Sequence, residues 1–132
     1  MSNPVFLGLD EVLEIHGDQI ERYGGSPGIR DMELLQSAVA MPAAGIGEEY
    51  FHTDIFEMAA AHLFHIVRNY PFVDGNKRTG AVAAVVFFLM NGMELEVDED
   101  SFEKMVRSVA EGKMDKVGIA EFFSNQVQVK KK

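Results

Sequence analysis

The sequence predicts an all-α fold: a bundle of about six helices around one central, buried helix. Three observations carry this. Apolar residues recur at helical spacing through most of the chain. The run Gly80–Met90, "GAVAAVVFFLM", has no charged side chain, yet it falls far short of the roughly 20 residues that span a bilayer. Gly24-Gly25, Pro71, Gly92 and Gly112 cut the chain into helix-sized pieces.

Taken in order, Leu9, Val12, Leu13, Ile20 and Tyr23 fall near one face of a first helix, which stops at Gly24-Gly25. "SPGIR" reads as a turn. Asp31 caps a second helix with Leu34, Leu35, Ala38 and Val39 inward. Met41 to Phe51 contains Pro42, Gly45 and Gly47 and reads as a loop or small β-hairpin. Thr53 or Asp54 caps a third helix, which must end near Asn69, because the residue before Pro71 is pushed out of helical geometry. The fourth and central helix runs from about Asn76 to Met90, with Gly92 as its stop. "ELEV" reads as a short extended piece. Asp98 to Ala110 and Lys116 to Val127 are the fifth and sixth helices, and residues 128–132 form a frayed tail.

At 132 residues the chain reads as one domain, residues 1–132. It is 47% hydrophobic and 25% charged, ordinary for a globular protein. It has no cysteine, which removes disulfides, thiolate metal sites and thiol nucleophiles. A net charge of −9, with Lys130-Lys131-Lys132 as the one cationic run, argues against direct nucleic-acid binding. The start, "MSNPVFLGLDEV", lacks the basic and apolar regions of a secretion signal, so a cytoplasmic location away from membranes is expected.

The chemistry concentrates in "YPFVDGNKRTG", Tyr70 to Gly80, at the head of the fourth helix. The first turn of a helix has N–H groups without internal partners, and its dipole end is positive, so an anion is stabilised there. Gly75 lets the backbone approach a ligand, Asn76 can donate from its amide, Lys77 adds a mobile charge and Arg78 a planar fork for phosphate oxygens. A bare phosphate would repel Asp74, so the acid suggests a bridging Mg²⁺, which commonly binds through one or two carboxylates plus substrate phosphates. The alternative is a solvated helix start with Asp74 as its cap. The spacing is not that of a P-loop.

"YPFVDGNKRTG" following "AAAHLFHIVRN" resembles the signature of the Fic/Doc superfamily, specifically its death-on-curing (Doc) branch. The family pattern is His-Pro-Phe-x-Asp-(Gly or Ala)-Asn-Lys-Arg-Thr, and the fixed positions differ only at the first, Tyr70. "IHGDQIERYGGSPGIRDMELLQSAVAMP" and "FFLMNGMELEVDED" extend the likeness over roughly residues 8 to 123. The resemblance implies a Fic-type helical bundle whose motif runs from a loop into the central helix. It implies transfer from ATP or another nucleoside triphosphate to a protein hydroxyl: AMP in Fic enzymes, a phosphoryl group in Doc toxins, whose target is a threonine of elongation factor Tu. Lys77 stands where Fic enzymes have a second glycine and favours phosphoryl transfer, whereas Gly75 is Fic-like. Position by position, Asp74 would coordinate Mg²⁺, Asn76 and the Gly75–Lys77 backbone would form the anion hole, and Lys77 and Arg78 would hold the phosphates. Arg68 matches a basic position in Doc relatives and would touch phosphate or pair with a carboxylate. Phe72 would anchor the loop in the core. Met41 to Phe51 would be a target-docking flap or a plain connection. The implied partner is an antitoxin of the prevents-host-death type, whose disordered tail folds onto the toxin.

The family's general base is a histidine where this chain has Tyr70. Imidazole titrates near about 6.5, whereas phenol, near about 10, stays protonated at neutral pH. Three readings compete: a natural or engineered inactivated toxin, a working variant whose loose transition state needs little base help, and a chain that only binds nucleotide or a partner. A Fic-type nucleotidyltransferase is the main enzymatic alternative, and a non-catalytic interaction module the main rival of another class. His62 and His65, at i, i+3 on the third helix, read as packed or capping residues, and His16 as a structural hydrogen-bonding histidine. Met58, Met90 and Met105 read as core filler.

Overall fold

A computed structural model of the chain describes residues 3–126 and the backbone of residues 128–131. Six helices appear: α1 (Leu9–Tyr23), α2 (Met32–Ala40), α3 (Ile55–Asn69), α4 (Asn76–Met90), α5 (Glu99–Ala110) and α6 (Lys116–Gln126). β1 (Gly45–Ile46) and β2 (Glu49–Tyr50) make the expected small antiparallel hairpin between α2 and α3. The extended piece after α4 is β3 (Met93–Glu96). The tail expectation for residues 128–132 is not met over Gln128–Lys131. They form β4, antiparallel to β3, with Glu94 opposite Lys130. A free strand edge offers unpaired backbone groups that a second strand satisfies, and the sequence shows no periodicity that would announce it. Val127, the expected end of the sixth helix, lies outside the described residues.

Carboxylates start four of the helices. Asp31 accepts from Leu34 N at 3.0 Å, Asp54 from Glu57 N at 2.8 Å, Asp98 from Ser101 N at 2.9 Å and Asp115 from Gly118 N at 2.9 Å. Of the two candidate caps for α3, Asp54 takes the role, and Thr53 N–H donates instead to Glu57 Oε1 at 3.0 Å.

The α3–α4 pair is the centre of the molecule. Small residues make the close approach possible. Ala59, Ala60, Ala61, Ala83 and Ala84 are fully buried, and a Cβ added at Gly80 would lie 2.7 Å from Val67 Cγ2 and 3.1 Å from the Leu63 carbonyl. Phe87, Phe88 and Phe123 fill the space beyond them. The central helix is not enclosed on every side, since Leu89 is exposed. The inward face of α1 also differs from expectation. Tyr23 is exposed, with the Arg78 guanidinium over its ring, and the buried positions are Val12, His16 and Gln19.

His62 is packed between Phe6 and Phe87. Its Nδ1–H donates to the Met58 carbonyl at 2.8 Å, so Nε2 is the nitrogen that accepts from Leu7 N–H at 3.4 Å. His65 is bound to a cation: the Lys116 ammonium donates to His65 Nε2 at 3.0 Å and to His52 Nε2 at 3.1 Å. Among the described residues no helix is long and apolar enough to cross a membrane, and no cluster of three or more metal-ligating side chains occurs.

Burial pushes the His62 pKa down to about 4. In the unfolded chain histidine titrates near about 6.5, so between these values the unfolded state binds a proton that the folded state refuses. Stability is therefore full above about pH 6.5 and falls as the pH drops towards about 4. At about 1.4 kcal/mol per pKa unit, His62 alone contributes about 3 kcal/mol to that fall. Urea unfolding at about pH 7 and about pH 4.5 should show the loss, and His62→Phe should lessen it without abolishing it, because burial also pushes the His65 pKa down to about 4.

Candidate active site

The motif loop, residues 70–75, turns the chain from the end of α3 into the start of α4. Tyr70 is the C-cap of α3, with φ 50° and ψ 52°; no other described non-glycine residue has a positive φ. Pro71 follows and cannot continue the helix. Gly75, with φ 80°, is the N-cap of α4, and its left-handed backbone suits glycine. A Cβ there would lie 3.2 Å from Ile20 Cδ1.

Phe72 fixes the loop from beneath, fully buried and stacked on the His16 ring at 3.8 Å with planes 4° apart. His16 Nε2–H donates to the Asp74 carbonyl at 2.8 Å, so its expected structural role includes holding the motif itself. Asn76 then closes the loop on itself. Its Oδ1 accepts from Phe72 N–H at 3.0 Å, and its Nδ2 donates to the Phe72 carbonyl at 3.0 Å. The buried side chain is a splint across the loop, with one of its two amide hydrogens committed to Phe72. Asn76 can also offer an anion its backbone N–H. No side chain caps α4, so the N–H groups at positions 76–78 face the loop without the usual partner.

The segment between α1 and α2 proves to be the outer clamp of the loop. Val73 N donates to the Gly28 carbonyl at 3.1 Å, and Arg30 N and Asp31 N both donate to the Pro71 carbonyl, at 2.7 and 3.1 Å. The Arg30 guanidinium donates to the carbonyls of Tyr70 and Asn69. These carbonyls end α3, where a cation is favoured. Sequence reasoning treated this segment as a turn and missed Arg30 and Ser26. Nothing local marks them, since their partners lie 40 and 48 residues on.

Asp74 is exposed, and its carboxylate accepts from Ser26 N at 3.2 Å and Gly75 N at 2.9 Å. These two N–H groups, with Arg78 and His16 adding less, hold its pKa below the ordinary carboxylate value. It is thus ionised at neutral pH, with lone pairs left over. One such oxygen donor suits Mg²⁺, which takes the rest of its shell from substrate phosphates and water.

Lys77 is exposed above the loop. Arg78 donates through Nη2 to the Gly24 carbonyl at 2.9 Å, and its guanidinium lies 5.5 Å from the centre of the Tyr23 ring, so its plane is set by α1. Tyr70, Val73, Asp74, Gly75, Asn76, Lys77, Arg78 and Ala110 line a cavity of about 280 Å³. Lys77 and Arg78 also border a groove of about 630 Å³ between α1, α4 and α5, floored by Tyr23, Phe102 and Val106. Arg68 does not line the loop cavity. It donates through Nη1 to the carbonyls of Val109 and Ala110 at 3.3 and 3.2 Å, which caps α5.

Residues 6–88 match the model of the Fic/DOC family. The chain belongs to that family. It is 30% identical over 112 residues to the protein kinase Doc of Escherichia phage P1, covering 85% of this chain and 87% of that relative. It is 38% identical over 100 residues to the toxin Doc of Mycolicibacterium smegmatis, covering 74% and 77%. These relatives are of the Doc branch that the motif resembles.

Removing the splint should unfold the Fic/DOC loop before it affects any chemistry. Asn76→Ala leaves a buried N–H and carbonyl of Phe72 without partners, at an expected cost of about 3 kcal/mol. Lys77→Ala, on the exposed face, should stay within about 0.5 kcal/mol. Urea denaturation of both variants checks the contrast.

Proposed function

We propose that this chain is a Doc-type toxin that transfers the γ-phosphoryl group of a nucleoside triphosphate to a protein hydroxyl, with turnover weakened by Tyr70. The observation that carries the reading is the loop cavity, walled by an ionised acid, two cations and the uncapped start of α4. A close relative's name as a protein kinase supports phosphoryl transfer as the chemistry.

At about 280 Å³ the cavity has room for a phosphate chain but is below the usual size of a whole ligand pocket. The groove of about 630 Å³ shares Lys77 and Arg78 with it and is the natural place for the nucleoside. The backbone N–H groups of residues 76–78 would hold phosphate oxygens. Lys77 would neutralise developing charge, and Arg78, already oriented by Gly24 and Tyr23, would present its fork without further ordering. Asp74 would hold Mg²⁺, which supplies charge neutralisation at the phosphates when bound. The exposed hairpin β1–β2 would receive the target segment by strand addition, with elongation factor Tu as the target class and a prevents-host-death antitoxin as the neutralising partner.

Tyr70 is half exposed at the cavity mouth. A phenol is a poorer proton acceptor than an imidazole, and the lack of a histidine base should cost about 10²–10⁴-fold. Phosphoryl transfer through a loose transition state survives such a loss better than most reactions.

Millimolar ATP with Mg²⁺ should raise the melting temperature of the protein, and Tyr70→His should increase labelling of an elongation factor Tu substrate by about 10²-fold or more. No thermal shift would point to a non-catalytic module, and transfer of AMP instead of phosphate to a nucleotidyltransferase.

A further inference from the structure

We propose that Tyr70 is itself a phosphoryl acceptor, so that the chain modifies its own motif. The inference rests on the triphosphate reading of the loop cavity and names a substrate for it.

Tyr70 lines that cavity beside Asp74, Lys77 and Arg78, with 47% of its surface exposed. Among the described residues its hydroxyl has no hydrogen-bond partner, and its ring joins no aromatic or cation pair. The other tyrosines with a visible role differ. Tyr23 lies under Arg78, and Tyr50 packs edge-on against Phe6 at 5.3 Å. The fold uses Tyr70 through its main chain only, as the left-handed cap whose carbonyl Arg30 holds. A bulky residue in that backbone region costs about 1–2 kcal/mol, and glycine or asparagine would serve the turn with less strain. Strain of this kind clusters at functional positions. The backbone that carries the phenol is therefore fixed by the scaffold, while the phenol itself is bound to nothing in it.

Its chemistry matches what the cavity would act upon. The reaction class needs a hydroxyl oxygen near the γ-phosphorus, and Tyr70 presents one. The phenolic oxygen forms a bond to the γ-phosphorus while the bond from that phosphorus to the β,γ-bridging oxygen breaks. Its electron pair leaves with the nucleoside diphosphate, and the phenolic proton passes to solvent. A phenol leaves its proton more readily than an aliphatic hydroxyl, so it needs less help from a base. The product is a phosphate monoester carrying about −1.5 to −2 charges. It would lie beside Lys77 and the start of α4, occupying the place of the incoming phosphates. The reaction would then stop at one phosphoryl group per chain.

The test is incubation of the full chain with Mg²⁺ and γ-labelled ATP, followed by intact mass measurement and peptide fragmentation. One phosphoryl group on Tyr70 is expected, at a rate independent of protein concentration. Labelling should fall at least tenfold in Lys77→Ala, which excludes a contaminating kinase, and disappear in Tyr70→Phe. A non-hydrolysable ATP analogue with Mg²⁺ should still raise the melting temperature of Tyr70→Phe. If the analogue stabilises the protein but no phosphotyrosine forms, the inference is overturned and the triphosphate reading survives. Label on another residue, or an added nucleotidyl group, also overturns it. If the analogue stabilises neither form, the triphosphate reading falls and takes the inference with it.

Discussion

Two hydrogen bonds between the Asn76 amide and the backbone of Phe72 hold the site together. Six residues must leave one helix and enter another at an angle, and their polar groups cannot be abandoned in a buried place. The amide offers one donor and one acceptor in a fixed plane, which matches the N–H and carbonyl of a single residue. Phe72 can then be driven fully into the core, under the His16 ring, without leaving its own peptide groups unsatisfied. With the loop tied inward at that point, Asp74 and Lys77 are left on the outside.

The same logic separates scaffold from chemistry around the loop. His16, Asn76, Arg30 and the Gly28–Asp31 segment act on the main chain from below and from the side. Arg78 belongs to both groups, because its guanidinium closes the end of α1 and also walls two cavities. Asp74 has the same double character. The N–H groups that brace its carboxylate also keep it ionised, so one arrangement serves the turn and the charge. Arg68 shows the contrast: its charge is spent on the carbonyls that end α5.

Much of this was legible in the sequence. The six helices, the Asp31 and Asp54 caps, the hairpin and the position of the motif at the head of α4 follow from periodicity, breakers and local chemistry. These signals act over a few residues. The roles of Arg30 and Ser26 depend on contacts 40 and 48 residues away and leave no local trace. Asn76 was visible as a polar residue at a helix start, but its role as a splint depends on its burial against Phe72. Tyr23 kept helical register with the core face yet faces solvent, with a cation from the neighbouring helix over its ring. The pairing of β4 with β3 was hidden because polar residues can satisfy a strand edge as well as apolar ones.

The left-handed turn at Tyr70 has a wider meaning for how such a protein can change. Its geometry is guaranteed by neighbours that grip only peptide oxygens, so whatever group hangs from that carbon is interchangeable as far as the architecture is concerned. An imidazole and a phenol are equivalent tenants there, and a lineage could exchange one for the other without rebuilding anything around it. The side chain at this position can therefore vary while the turn beneath it keeps its shape.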